Sequence, residues 1–207
     1  MLDGAARKLI QGPFDRGGLW LAARGVRADH VTVASCLIGL AAAGLVATGY
    51  MLAALLLIVV SRIGDGLDGS IARASRKTDF GGYLDITLDF VFYGAIPFGF
   101  VVYDPAANGL AGAALIFSFY VNGASFLAYA VVAEKRGLST DARGAKSIYF
   151  TTGLAEASET FIVFGIFCLW PAGFAPVAWI FAVICLYTAL SRIIQARAAF
   201  AEPPSQT

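Results

Sequence analysis

The chain has 207 residues, 58% of them hydrophobic and 14% charged, with a mean hydropathy of +0.74. A soluble domain typically carries about 25% charged residues, so the composition excludes an ordinary soluble fold and predicts an all-α integral membrane protein. A net charge of +1 excludes a globally basic nucleic-acid binder, and no nucleic-acid partner is expected.

The first apolar stretch begins only near residue 31, after a polar segment, so no cleavable signal peptide is expected. Within this juxtamembrane segment, residues 2–24, Leu2, Ala5, Ala6, Leu9 and Ile10 share one helical face, with Arg7 and Lys8 off it. That pattern predicts a short amphipathic helix lying on the membrane surface, ended by Gly12-Pro13.

About 20 apolar residues are needed to cross the hydrocarbon core. The expected spans are 31–49, 51–66, 82–103, 109–132, 150–170 and 175–195, six in all. His30 is read as an interfacial polar residue at the start of the first. Ser35, Gly39, Ala43 and Ala47 form a small-residue stripe along it that permits close helix contact, inside the bundle or across a dimer. Cys36, Cys168 and Cys185 lie in apolar stretches without metal-ligand spacing and read as packing residues. The second span is expected to continue as helix through Ala72-Arg73, past the bilayer.

Between spans two and three lie Asp65, Asp68, Asp85 and Asp89. Acids at a bilayer edge are costly and are retained for function. Asp65 and Asp68 are i,i+3, and Asp85 and Asp89 are i,i+4, so each pair lies on one helical face. Two such faces turned together make a four-carboxylate cage for hard divalent cations. Two ions in such a cage suit a pyrophosphate substrate. Gly69 and Ala72 keep the face of Asp65 and Asp68 open, Gly81 leaves room one turn before Asp85, and Arg73 stands ready to neutralise a phosphate.

Phe90, Phe92, Tyr93, Phe117, Phe119 and Tyr120 are assigned to lipid or core, with no ligand role. Span five is read as opening near Thr151, Thr152 and Gly153, with Glu156 and Glu159 on one face and Thr160 a turn beyond Glu156. These glutamates either bind an acceptor's hydroxyl or amine, or pair with Arg143, Lys146 or Arg192. The three basic residues are alternatively sites for an acceptor's phosphate. The tail, residues 200–207, is expected to be disordered, and the chain 1–207 to form a single domain without repeats.

With six spans, all 15 Lys and Arg fall on one face of the membrane. The positive-inside rule then places both termini and the aspartates on the cytoplasmic side.

The pattern D-x2-D-G-x2-A-R followed by G-x3-D-x3-D, carried by Asp65, Asp68, Gly69, Ala72, Arg73, Gly81, Asp85 and Asp89, resembles the signature of the CDP-alcohol phosphotransferase (CDP-alcohol phosphatidyltransferase) family. The six-helix plan and the amphipathic segment before it also resemble that family. The resemblance implies transfer of a substituted phosphate from a CDP-alcohol, usually CDP-diacylglycerol, to a small alcohol with release of CMP, in phospholipid biosynthesis. It implies Mg²⁺ or Mn²⁺, as two ions, on Asp65, Asp68 and Asp85, with Asp89 completing the site and serving as general base. It further implies a CDP pocket lined by Gly69, Ala72, Arg73 and Gly81. The family's Pro-Asn-x-x-Thr nucleotide segment reads Ala28-Asp29-His30-Val31-Thr32 here: Thr32 fits, while Ala28 and Asp29 depart from it. A homodimer in the bacterial cytoplasmic membrane, in contact with its lipids, is the implied setting. The competing readings are a divalent-cation transporter built on the same cage and an intramembrane prenyltransferase. The latter would need more helices and a second aspartate-rich motif.

Overall fold

The computed structural model describes residues 3–137 and 155–201, with the backbone alone for 3–10. These residues form α1 (Asp3–Ala23), α2 (Ala28–Ala47), α3 (Met51–Ala74), α4 (Asp79–Tyr103), α5 (Pro105–Lys135), α6 (Ala157–Leu169) and α7 (Phe174–Phe200), with a 3₁₀ turn at Pro171–Gly173 before α7. No strand occurs among the described residues. Arg143, Lys146, Thr151, Thr152, Gly153, the side chains of residues 2–10 and the tail beyond Ala201 lie outside what is described.

Among the described residues, four helical stretches are long and apolar enough to cross a membrane: Ala28–Ala47, Asp79–Tyr103, Pro105–Lys135 and Pro171–Phe200. The protein is an integral membrane protein. The 24 residues of α3 would span about 36 Å, but the helix carries Arg62 at its middle and Asp65, Asp68 and Arg73 in its second half. It therefore continues as helix past its first acid, as expected, and reaches Ala74.

Turn chemistry separates the helices. Gly25 and Gly49 take φ of +79° and +86°, left-handed values open to glycine, at the α1–α2 and α2–α3 turns. Thr78 caps α4, its Oγ1 accepting from Gly81 N at 3.0 Å. Asp104 caps α5 by accepting from Ala107 N at 3.0 Å, with Pro105 at the first helical position.

In lipid the helices gain little from hiding apolar surface from water, so packing holds them together. Small residues permit the close approaches. Gly39 of α2 meets the Phe92 ring, and Gly64 of α3 meets Ser35. The buried members of the small-residue stripe, Ser35, Gly39 and Ala43, thus serve contacts inside the bundle. The interior is largely aromatic. Phe92, Phe100, Phe164, Phe167 and Phe174 are fully buried, and the Phe174 ring centroid lies 4.8 Å from Phe100 and 4.6 Å from Phe167. Helix α2 packs on α3 and α4, α1 lies along α3, and α5 packs mainly on α7.

Two expectations are corrected. Gly12-Pro13 does not end the first helix, which runs through it to Ala23. A proline inside a helix costs about 3 kcal/mol, and here packing onto α3 offsets it. Phe14 covers Gly66, and Gly17 and Gly18 sit against Leu67 and Ser70. In the region of the fifth span, Glu156 precedes the helix rather than lying within it. It is the N-cap of α6, with extended φ and ψ of −110° and −179°. Thr160 N and Thr160 Oγ1 both donate to the Glu156 carbonyl, at 3.1 and 2.9 Å, and so fix the start of the helix there.

Candidate metal and nucleotide site

The cytoplasm-facing assignment of the aspartates rests on charge counting, but their juxtaposition is a feature of the fold. Helices α3 and α4 are joined by a short link, Ser75–Thr78, and both pack against α2. This brings the i,i+3 acids of α3 against the N-terminal half of α4. Carboxylate oxygens of Asp65, Asp68 and Asp85 lie within 4.8 Å of one another. Asp68 is buried, with 5% of its surface exposed, and its Oδ2 has no hydrogen-bond partner. An unsatisfied buried oxygen costs about 1–3 kcal/mol, more when charged, so the arrangement is complete only with a cation. Three hard carboxylate donors suit Mg²⁺ or Mn²⁺.

The fourth acid is placed differently. Asp89 stands outside this triad, and its Oδ1 accepts from Arg62 Nη1 at 2.8 Å. The same nitrogen is 3.4 Å from Asp65 Oδ1. The expected cage is thus a triad joined to an Asp89–Arg62 pair. Arg62 is the residue that sequence reasoning missed, because it counted only as one of the basic residues orienting the chain. Its position three residues before Asp65, on the same helical face, was the available signal.

Beside the triad opens a cleft of ≈ 250 Å³. All five residues expected to touch a nucleotide line it: Thr32, Gly69, Ala72, Arg73 and Gly81. Asp68 and Asp85 form its metal-facing end, so the cleft and the triad are continuous. The glycines keep it open. A Cβ at Gly81 would lie 3.0 Å from Thr78 Oγ1 and 3.1 Å from Asp29 Oδ1. Asp29, Arg76, Lys77 and Thr78 also line the cleft. Asp29 departs from the family's asparagine, yet its side chain faces Gly81 across the cleft.

The wall carrying Arg73 is braced from α1. Arg73 Nη2 donates to Asp15 Oδ1 at 2.8 Å and to Ser70 Oγ at 2.7 Å, and Ser70 Oγ in turn donates to Asp15 Oδ1 at 3.2 Å. Arg73 therefore reaches the cleft from a fixed base.

Of the expected acceptor residues, Arg192 on α7 is tied to α5. Its Nη1 donates to Asn122 O at 2.9 Å, Asn122 Oδ1 at 3.0 Å and Ser125 Oγ at 2.6 Å. Glu156 occupies the N-cap position of α6, and Glu159 lies in its first turn. The same helix reaches the acidic site, since the Phe161 ring lies 5.6 Å from the Arg62 guanidinium carbon.

Residues 26–189 match the sequence pattern of the CDP-alcohol phosphatidyltransferase family, a stretch that contains the whole aspartate motif, the cleft and most of the helices. The chain belongs to the CDP-alcohol phosphatidyltransferase family. It is a transferase of substituted phosphate groups, of a family that uses divalent metal ions. Among similar proteins, the inner membrane protein YnjF of Escherichia coli K12 is 44% identical over 169 residues, 82% of each chain. The archaetidylinositol phosphate synthase of Pyrococcus horikoshii is 29% identical over 193 residues, covering 92% of this chain and 94% of that one. The phosphatidylinositol phosphate synthase of Mycobacterium tuberculosis with CDP-DAG bound aligns with a TM-score of 0.62 at 23% identity, covering 89% of this chain and 92% of that one. The same enzyme in complex with manganese and citrate aligns at 0.61 and 22% identity, covering 89% and 87%. At that identity the likeness shows the CDP-alcohol phosphatidyltransferase fold.

Proposed function

We propose that this CDP-alcohol phosphatidyltransferase transfers the phosphatidyl group of CDP-diacylglycerol to the hydroxyl of a small alcohol, releasing CMP, as a step in phospholipid synthesis. The observation that carries this reading is the continuity of the Asp65–Asp68–Asp85 triad with a cleft lined by Thr32, Gly69, Ala72, Arg73 and Gly81. A pyrophosphate needs cations at one end and a pocket for its nucleotide at the other, and both occur on one continuous surface here.

The triad would hold Mg²⁺ or Mn²⁺, and four carboxylates unaided have the charge to balance two such ions. When bound, a divalent ion would neutralise the pyrophosphate and take up the charge that develops on the departing CMP. Thr32, Gly69, Ala72 and Gly81 would admit the cytidine side of the donor, and Arg73, braced by Asp15, would meet a phosphate or the base. Asp89 would take the proton of the acceptor hydroxyl as it attacks the diacylglycerol-linked phosphorus.

The acceptor is assigned to Arg143, Lys146, Glu156, Glu159 and Arg192. Arg143, Lys146 and Arg192 suit an acceptor phosphate, whereas Glu156 and Glu159 suit hydroxyls or an amine. The similarity to an archaetidylinositol phosphate synthase favours a phosphorylated polyol. In the membrane, α2 to α7 are read as six spans with α1 on the surface. The termini and site face the cytoplasm, the membrane is the bacterial inner membrane, and the chain is a single domain that pairs as a homodimer.

The test is product identification. Purified protein receives CDP-diacylglycerol, Mg²⁺ or Mn²⁺, and separately inositol phosphate, glycerol 3-phosphate, inositol, serine, choline or ethanolamine, and the lipid formed is read by mass spectrometry. A new phospholipid with one acceptor supports the reading and names the acceptor. No lipid product with any member of the panel counts against the CDP-diacylglycerol assignment. Glu156→Gln should then raise the KM for the acceptor more than that for the donor; equal shifts would remove Glu156 from acceptor binding.

A further inference from the structure

Arg62 is held as part of the acidic site rather than as a surface anchor. Its side chain is 10% exposed, and Nη1 stands between two carboxylates, 2.8 Å from Asp89 Oδ1 and 3.4 Å from Asp65 Oδ1. Nη2 donates to Ser61 Oγ at 3.1 Å, and Ser61 Oγ donates to the Ser35 carbonyl at 2.7 Å, so the far side of the guanidinium is tied to α2. The guanidinium carbon lies 3.8 Å from the centroid of the Phe92 ring, which is fully buried, with Phe161 of α6 at 5.6 Å. Nε is buried and makes no hydrogen bond. A charged side chain this enclosed loses most of its hydration, and the carboxylates and the aromatic face are what compensate it.

We propose that Arg62 is a built-in cation, standing between Asp65 and Asp89 where the four carboxylates alone would accept a second divalent ion. The chain then takes a single divalent ion, at Asp65, Asp68 and Asp85. The position supports this, because the guanidinium already bridges Asp65 and Asp89, the carboxylates a second ion would need. The chemistry supports it as well. A guanidinium is always protonated and cannot be removed by a chelator, so the Asp89 end of the site keeps its compensation whatever the metal supply. Arg62 is a positioning residue in this account, fixing the Asp89 carboxylate beside the triad. The inference rests on the metal-site reading above and adds the number of ions.

The experiment titrates the purified full chain with Mn²⁺ alone and measures bound ions by calorimetry and by electron paramagnetic resonance. Wild type is expected to bind one Mn²⁺ per chain with an uncoupled six-line spectrum. Arg62→Gln is expected to bind two, with the spin-coupled spectrum of ions about 3.5–4 Å apart. Arg62→Lys, which keeps the charge, is expected to stay at one. Two coupled ions in wild type would overturn the inference and leave the metal site standing. That measurement needs no variant, so it decides even if Arg62→Gln fails to fold. A stoichiometry of one in both wild type and a folded Arg62→Gln would also overturn it. No Mn²⁺ bound by any of the proteins would overturn both the inference and the metal-site reading.

Discussion

Asp15 of α1 and Arg73 of α3 form an ion pair at 2.8 Å that ties the first helix to the aspartate motif. The Arg73 hydrogen bond holds the Asp15 carboxyl below the usual carboxylate range, against a smaller opposing effect of burial. A depressed folded-state value means that the pair adds stability above the unfolded carboxylate pKa of about 3.9, and that this is lost as pH falls through the lower folded value. Asp15→Asn should therefore speed hydrogen exchange across residues 14–23 at pH 7. In a protein that keeps Asp15 and has Trp170 and Trp179 replaced by Phe, Trp20 fluorescence should change only below about pH 4. Exchange unchanged in the variant would show that α1 is held without the pair.

Gly18 brings the backbone of α1 close to α3, since a Cβ there would sit 2.6 Å from Ser70 Cβ and 2.7 Å from the Ser70 carbonyl carbon. The second contact is backbone, which cannot swing aside. Gly18→Val should destabilise by about 1–3 kcal/mol, seen as a lower Tm in detergent, and should weaken donor binding by displacing Arg73. An unchanged Tm would mean that α1 can lift away at no cost.

Phe92 supports two things at once, the aromatic interior and the guanidinium of Arg62. Phe92→Ala should cost about 3 kcal/mol or more in unfolding free energy. Phe92→Leu, which keeps most of the volume but loses the ring face, should cost less while still altering Mn²⁺ binding. Equal metal binding in wild type and Phe92→Leu would confine Phe92 to packing.

The site was legible in the sequence to the extent that its residues are local. Asp65, Asp68, Gly69, Ala72 and Arg73 lie on one helix, and helical spacing alone put the two acids on one face. Spacing gave a four-carboxylate cage and the family resemblance singled out Asp65, Asp68 and Asp85, which the short Ser75–Thr78 link helps bring together. What depended on tertiary packing did not come through. Pro13 reads locally as a stop, but Phe14, Gly17 and Gly18 fit α3 and carry the helix past it. Glu156 and Glu159 read as helix neighbours, yet the helix starts between them. Arg62 was counted by charge, while its role depends on Ser61, Phe92 and Asp89, the last 27 residues away.

We read Asp89, which lies outside the triad and beside Arg62, as the group that takes the acceptor's proton. Asp89→Asn should lower kcat by about 10²–10⁴-fold while leaving the KM for the CDP donor within a few-fold of wild type. A donor KM raised as much as kcat falls would place Asp89 in donor binding instead.

The central claim is that the Asp65–Asp68–Asp85 triad and the adjoining cleft act as one metal-dependent site for a CDP-alcohol. The most direct measurement is CMP release from CDP-diacylglycerol by the purified protein, with an acceptor mixture present, in Mg²⁺ or Mn²⁺ and again in excess EDTA. The account predicts CMP formation that EDTA abolishes, that added metal restores, and that falls about 100-fold or more in Asp68→Asn. CMP formation that persists in EDTA or in a folded Asp68→Asn protein would contradict it.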